Sequence, residues 1–409
     1  MGVLAMGTYG ATGFTQVVLG GIQTLITEDT GWDRSAIALA VTLGTWTSAM
    51  LSPFFGRAAD RYGPRLVMPA AALVAAVAYF GIAASGEVWQ FYLAYVLGRS
   101  VSNPGLIGVV PRTAVVNFFQ RRRNLALGLV STFRPVGGAI NIQVISLVAL
   151  ALSWRDAYRF LALYALVVTI PLLVVARRRP EDIGLLPDGR RPEEGDPGGP
   201  GPGRRRPHAS EEDWRVREAA ATPTFWFIVL AETAVITTSG ALGFQLVPYL
   251  RDSGVSQAVA AGAFSLSNLF GAFMGPFWGL LADRISPRRL AMVAMPLPLL
   301  PVLLLMGLPA ERFGFYAVVF WGLAAGSINV LGSMLLASYF GRSSFGSLSG
   351  LVGPLRLGGL GLGPTVGAVI FRLRESYTAV FSFGLATYSL ATLLIHLARP
   401  PRRGPRTSP

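Results

Sequence analysis

The sequence predicts an all-α membrane protein: twelve transmembrane helices in two pseudo-symmetric six-helix bundles. Three observations carry that prediction. Hydrophobic residues make up 52% of the 409 residues and charged residues only 14%, with mean hydropathy +0.51. A soluble globular chain carries about 25% charged residues, so this one lacks the groups to face water as two or three soluble domains. Twelve apolar stretches can be cut from the chain, and its two halves repeat each other at a fixed offset.

A membrane helix needs about 20 mostly apolar residues. Such stretches run approximately 2–26, 36–55, 66–84, 88–116, 124–152, 158–176, 223–248, 258–281, 290–309, 314–339, 345–371 and 378–397, and are numbered spans 1 to 12. No cleavable leader is expected, because a basic n-region is missing and the first span runs on into the fold. Met1 sits almost inside span 1, so either the tail is very short or the true start lies upstream. The expected division is a first bundle over 1–176, a linker over 177–222, a second bundle over 223–397 and a tail over 398–409. The linker holds seven Pro and the triplets Arg177-Arg178-Arg179 and Arg204-Arg205-Arg206, a composition that cannot bury a core. A short amphipathic helix is expected at its end, over 211–221.

Arginine placement sets the orientation. The even-to-odd loops and the C-terminal tail hold 24 Arg; the opposite loops hold seven, namely Arg34, Arg155, Arg159, Arg251, Arg312, Arg372 and Arg374. The arginine-rich side is therefore expected in the cytoplasm, with both termini, in a bacterial inner membrane. All 35 basic residues are Arg, which points to a GC-rich bacterial genome. This asymmetry also accounts for the net charge of +14 and the pI of 10.9 without invoking nucleic acid. The absence of Cys excludes disulfides, thiolate metal sites and a cysteine nucleophile. With His208 and His396 as the only histidines and one acid buried in a span, an intramembrane enzyme has no nucleophile–base set to work with. No metal or cofactor is implied.

The repeat is specific. PFFGRAADRYGPR at 53–65 and PFWGLLADRISPR at 276–288 share eight of thirteen positions at an offset of 223. Asp29 and Gly31 match Asp252 and Gly254 at the same offset; Gly128, Arg134 and Gly137 match Gly350, Arg356 and Gly359 at 222. Chance similarity between apolar segments would match Leu or Ala, not Asp, Arg, Gly and Pro in register. Duplicated six-helix halves are a signature of carriers that bind substrate near the midplane.

Gly56-x-x-x-Asp60-Arg61-x-Gly63-x-Arg65, after span 2, resembles the loop signature of the major facilitator superfamily. It recurs at Gly279, Asp283, Arg284 and Arg288, with Ser286 where the family prefers Gly. Phe118-Phe119-Gln120-Arg121-Arg122-Arg123-Asn124-Leu125-Ala126-Leu127-Gly128 at the entry to span 5 is similar to the monocarboxylate transporter and oxalate:formate antiporter branch. Gly31-Trp32-Asp33-Arg34, Tyr339-Phe340-Gly341-Arg342 and Pro180-Glu181-Asp182-Ile183-Gly184-Leu185 fit the same branch. The resemblance implies the major facilitator fold and a monomeric carrier of small organic anions, mono- or dicarboxylates, working by alternating access with proton coupling or anion exchange. The alternatives are an exporter of drugs or other solutes on the same fold, and a transporter-like receptor.

The signature has a mechanical reading. A carboxylate can accept from free N–H groups at a helix N-terminus, worth about 0.3–2 kcal/mol. The resemblance implies that Asp60 does this for span 11 and Asp283 for span 5, latching the halves shut on the cytoplasmic side, with Gly56, Gly279, Arg61, Arg65, Arg284 and Arg288 in the same gate. Otherwise these Arg merely fix topology.

Five charges lie within spans. An ionisable group at mid-bilayer costs at least ~2.5–3.5 kcal/mol and is functional by default. Arg356, in span 11, is where the branch implies a cation for a carboxylate, to which a guanidinium offers a planar, bidentate fork; the alternative is a structural pair to a helix carbonyl or to Glu232. Its repeat mate Arg134 is either a ligand or half of an ion pair. Arg99, mid-span in span 4, is a further candidate, because span 8 carries Ser265, Ser267 and Asn268 but no charge. Arg112 lies near the cytoplasmic end and reads as a gate or structural residue. Glu232 in span 7 is the one buried acid: burial favours its neutral form and a nearby guanidinium its charged form, so it is a proton carrier, a fixed counter-ion to Arg356 or Arg99, or a cavity-facing polar residue. Tyr9, Gln16, Asn103, Gln245 and Asn329 are polar candidates for substrate contact, each with an interhelical hydrogen bond as the alternative. Gly359, Gly363 and Gly367 have the spacing for close helix packing.

Overall fold

The computed structural model describes residues 1–186, 188 and 214–401. Most of the linker, with its second arginine triplet, and positions 402–409 lie outside the described residues. The helices are α1 (Gly2–Thr12), α2 (Gln16–Thr30), α3 (Arg34–Tyr62), α4 (Pro64–Ala84), α5 (Val88–Ser102), α6 (Val109–Phe118), α7 (Arg123–Ala151), α8 (Trp154–Val175), α9 (Val216–Ala220), α10 (Pro223–Asp252), α11 (Gln257–Ala282), α12 (Pro287–Ala294), α13 (Leu299–Gly307), α14 (Ala310–Phe340), α15 (Phe345–Arg374) and α16 (Tyr377–Leu397). Among the described residues, ten helical spans are long and apolar enough to cross a membrane, α12 and α13 together making one of them. Spans 1 and 4 complete the twelve as interrupted helices. The short helix expected near the linker's end is α9, one turn long.

Both interruptions have local causes. In span 1 the hydroxyls of Thr12 and Thr15 donate to the carbonyls of Tyr9 (2.7 Å) and Thr12 (2.5 Å), which draws the backbone into a turn around Gly13 and away from the helical ladder. In span 4, Pro104 has no N–H to give, and Asn103–Ile107 form a π turn closed by the Gly108 N–H on the Asn103 carbonyl at 2.8 Å. The buried Thr8 hydroxyl donates to the Leu106 carbonyl of that turn. Without water at this depth, such side chains are what satisfies the freed backbone groups.

The chain forms two compact units: Met1–Ala209 with Phe345–Gly358, and Ser210–Ser344 with Gly359–Pro409. The core of the first is aromatic. Phe14, at the break in span 1, stacks on Tyr79 with ring centroids 4.0 Å apart, and Tyr95, Phe91, Tyr158 and Trp154 are buried around them. Gly98 makes this possible, since a Cβ there would fall on the Phe14 ring. The second unit packs α10 on α16 and α11 on α14 through small residues; a Cβ on Gly322 or Gly326 would run into Ser267 or Gly271. Apolar side chains also crowd the outside, from Val167 at 64% exposed to Leu150 at 72%. A water-soluble fold would bury these; a bilayer solvates them.

The repeat reappears as structure at the end opposite the arginine-rich loops. In the first unit Asp29 accepts from the Trp154 indole N–H at 2.9 Å and is bridged to Arg155. In the second, Asp252 accepts from the Tyr377 hydroxyl. Both members are related by the offset of 223. Each Asp ties the end of a bundle's first span to the start of its last. The Trp154 indole, then Arg155, hold the Asp29 carboxyl below the usual carboxylate range. Such a group stabilises the fold above its unfolded value of about 4 and loses that contribution as pH falls through its folded value. Asp29→Asn should therefore lower the melting temperature of the purified protein at neutral pH, and the gap to the parent should close on acidification. Melting curves across pH check this; a gap that persists in acid would refute it.

Candidate functional site

At the arginine-rich end of the first unit, α3 ends in the first copy of the loop signature. Its Asp60 carboxylate accepts two consecutive backbone N–H groups, Gly346 at 3.0 Å and Ser347 at 2.7 Å, at the start of α15. These are orphan donors of a helix N-terminus, where a negative charge also meets the positive end of the helix dipole. The approach depends on glycine. A Cβ on Gly56 would fall on the Gly346 carbonyl oxygen, and one on Gly346 would sit 2.5 Å from Asp60 Oδ1. Gly350 and Gly353 continue the contact, their added Cβ atoms meeting the Ser52 carbonyl oxygen and Cβ, each at 2.5 Å.

The arginines of the signature lie elsewhere. Arg61 is exposed, with its guanidinium over the Tyr62 ring, and Arg65 is exposed too. The arginine that meets Asp60 is Arg178, donating to its backbone carbonyl at 2.8 Å from across Gly63, whose φ of +78° needs no side chain. Sequence reasoning counted Arg178 as a linker charge and missed this. In the second unit, Gly279 is buried and Asp283 caps α11; Arg284 is exposed and Arg288 donates to the His396 carbonyl at 3.2 Å.

Midway along the spans, the charges of both Arg99 and Arg356 act on Arg134, all three being carried by segments of the first unit. Their settings differ. Arg99 is 5% exposed and donates to the Phe14 carbonyl at 2.8 Å, beside the Tyr95 hydroxyl on the same oxygen. It thus repairs the break in span 1, and Gly44 leaves room for its stem. Arg134 is exposed on α7, at a Phe-Arg-Pro step. Arg356 is half-buried in the first half of α15.

Tyr9 belongs to the same region. A Cβ on Gly137, three residues past Arg134, would lie 3.5 Å from the Tyr9 Cα, and the Tyr9 ring packs edge-on against Tyr164 at 5.0 Å. Gln16 opens α2 and is exposed. Asn103 is buried at the head of the π turn, its amide donating to the Ser48 hydroxyl at 2.9 Å, which is a structural bond. Arg112 is half-buried in α6.

Glu232 and Gln245 are in the second unit, both buried on α10. They are 13 residues apart, about 20 Å along a helix, so one small ligand cannot touch both. The Glu232 carboxylate lies where a Cβ on Gly332 of α14 would be, and that glycine makes its space. The side chain of Asn329 lies outside the described residues.

These features can be set against known proteins. The family model described as Major Facilitator Superfamily matches residues 5–364 and 231–409. The oxalate:formate antiporter of Oxalobacter formigenes is 24% identical, over 94% of this chain and 88% of that one. The agnestins efflux protein of Paecilomyces divaricatus is also 24% identical, over 84% of this chain and 73% of its own length. Among solved structures, the transporter FucP in its outward conformation is similar in fold, with TM-score 0.73 at 12% identity over 97% of this chain and 98% of that one. Family model, relatives and fold agree: the chain belongs to the Major Facilitator Superfamily, a multi-pass membrane transporter rather than an enzyme.

Proposed function

We propose that this transporter carries a small organic anion, a mono- or dicarboxylate, by alternating access, as a monomer in a bacterial inner membrane with both termini in the cytoplasm. The observation that carries the reading is the group of Arg99, Arg134 and Arg356 in one unit, with Arg134 accessible and under the field of the other two. Organic cations would be repelled there. The similarity to an oxalate:formate antiporter supports the same choice.

On this reading Arg356 and Arg134 hold the carboxylate through their planar forks, with Tyr9 and Gln16 beside them. Arg99 holds span 1 in shape and adds its charge to the field. Gln245 is the polar candidate of the other bundle. Asp60, with Gly56, keeps the cytoplasmic end closed through the N-terminus of α15, and Asp283 with Gly279 serves the repeat-related gate. Arg61, Arg65, Arg284, Arg288 and Arg112 set the potential around it.

The test is transport by purified protein in liposomes, with radiolabelled oxalate and formate as first probes. A bond between a charged group and its partner is worth about 1.5–3 kcal/mol. Arg356→Ala should thus weaken apparent affinity about 10- to 100-fold, and Arg356→Lys should restore part of it. Wild-type affinity in Arg356→Ala would refute the anion reading. Similarity to an efflux protein favours an exporter as the second reading; energised export of a neutral solute, insensitive to carboxylates, would establish it.

Asp60→Asn removes the charge that holds the first N–H groups of α15. Turnover should fall while equilibrium affinity for the anion stays within about two-fold, the loss being the ~0.3–2 kcal/mol of a helix-terminus anion. Unchanged turnover would refute the latch. Glu232 decides the coupling. With proton symport, Glu232→Gln abolishes uphill uptake driven by a pH gradient and spares exchange of labelled for unlabelled anion; with anion exchange, the parent itself shows no uptake driven by a pH gradient and the variant keeps its exchange.

A further inference from the structure

α15 belongs to both units. Its first half, Phe345–Gly358, clusters with the first unit, and from Gly359 it clusters with the second. Two glycine tracks explain the division. Gly346, Gly350 and Gly353 press the first half onto α3, where any Cβ would collide with Asp60 or Ser52. Gly359, Gly363 and Gly367 press the second half onto α10, where added Cβ atoms would lie 2.6 Å from Thr237 Oγ1, 2.5 Å from the Thr237 carbonyl oxygen and 2.7 Å from the Ala241 carbonyl oxygen.

The changeover falls in the most pliable stretch of the helix, PLRLGGLGLGP at 354–364. Pro354 and Pro364 have no N–H, so the carbonyls of Gly350 and Leu360 cannot receive their helical bonds. Four glycines lie between the two prolines, and helix bends concentrate at such residues. Two of those glycines have no packing reason to be glycine: an added Cβ on Gly358 or Gly361 meets nothing within 4 Å. In a helix interior, alanine would be the better residue at both positions.

We propose that α15 is a jointed helix, hinged at Gly358–Gly359, and that its first half, carrying Arg356, swings relative to the second each time the contact with α3 opens. The hinge places the candidate anion ligand one turn from the joint, so its guanidinium is re-aimed by the motion that opens the arginine-rich end. Only this coupling to Arg356 rests on the anion reading; the joint itself does not.

The sequence contains no cysteine, so a single reporter can be placed in the contact. Ser52, 2% exposed and facing Gly350 and Gly353, becomes the reporter in Ser52→Cys. Its rate of reaction with a maleimide in purified protein reads opening of the α3–α15 contact and needs no substrate. Gly358→Ala with Gly361→Ala adds no clash, so the variant should melt at a higher temperature than the parent. With a hinge, the Ser52→Cys labelling rate falls at least five-fold, and exchange of oxalate or formate in liposomes falls in parallel. A stabilised variant whose labelling rate is unchanged or faster overturns the proposal. Should the double variant be poorly produced, Gly358→Ala alone is read by the same assay. Gly359→Ala, which would press on Thr237, serves as the contrast: it should lower the melting temperature. If neither anion is transported by the parent, the anion reading fails while the labelling result still decides the hinge.

Discussion

Backbone N–H and C=O groups deep in a bilayer must find partners within the protein, because no water will take them. In spans 1 and 4 this transporter departs from unbroken helix where side chains can take up the freed groups. The break in span 1 frees carbonyls at Gly10 and Phe14, and these are taken by the Tyr79 hydroxyl and by Tyr95 and Arg99. The π turn in span 4 frees the Leu106 carbonyl, which Thr8 takes. At the start of α15 the unmet groups are donors, and Asp60 meets them. A buried guanidinium and a half-buried carboxylate, costly on their own, are thereby offset by backbone dipoles.

The same constraint sorts the buried charges by role. Arg99 is committed to a carbonyl and enclosed by aromatic rings, so on the proposed reading it acts on cargo through its field. Arg134 is exposed, with Pro135 beside it inside α7, and stands under that field. Glycine does the complementary work. Where backbones must touch, as at Gly56 on Gly346 or Gly363 on Gly240, the side chain is absent; where a buried acid must fit, as for Glu232, Gly332 yields the space.

Much of this was legible in the sequence, and the parts that were not share a cause. The spans follow from length and apolarity, and the repeat from Asp, Arg, Gly and Pro matching in register. The partner of Asp60 was legible only through the family resemblance, which implied the start of span 11, where the carboxylate accepts from Gly346 and Ser347. The break in span 1 was not, since Gly13 between two threonines is ordinary in an apolar stretch until Phe14 is seen wedged against Tyr79. Pro104 was a visible signal for the π turn. Arg178 was hidden by its neighbours: among the arginines of the linker, nothing in one dimension distinguishes the residue that reaches Asp60. For Arg99 the sequence showed a charge at depth but not the carbonyl that receives it.

Electrostatics gives the transport reading its direction. Like charges near one another in a medium of effective dielectric about 20 repel by roughly 4 kcal/mol at 4 Å, falling inversely with distance. On the proposed reading Arg134 therefore stands at a cost under the charges of Arg99 and Arg356, while the Phe14 carbonyl compensates Arg99. A carboxylate arriving at Arg134 cancels part of that repulsion as well as forming its own bonds, so an anion gains twice where a neutral solute gains neither. A dianion spanning two guanidiniums gains more again. Release then requires the guanidiniums to separate or turn. Arg356 lies on the α15 segment that also bears the N–H groups held by Asp60, so on the proposed reading the motion that undoes the latch also moves a guanidinium away from the cargo.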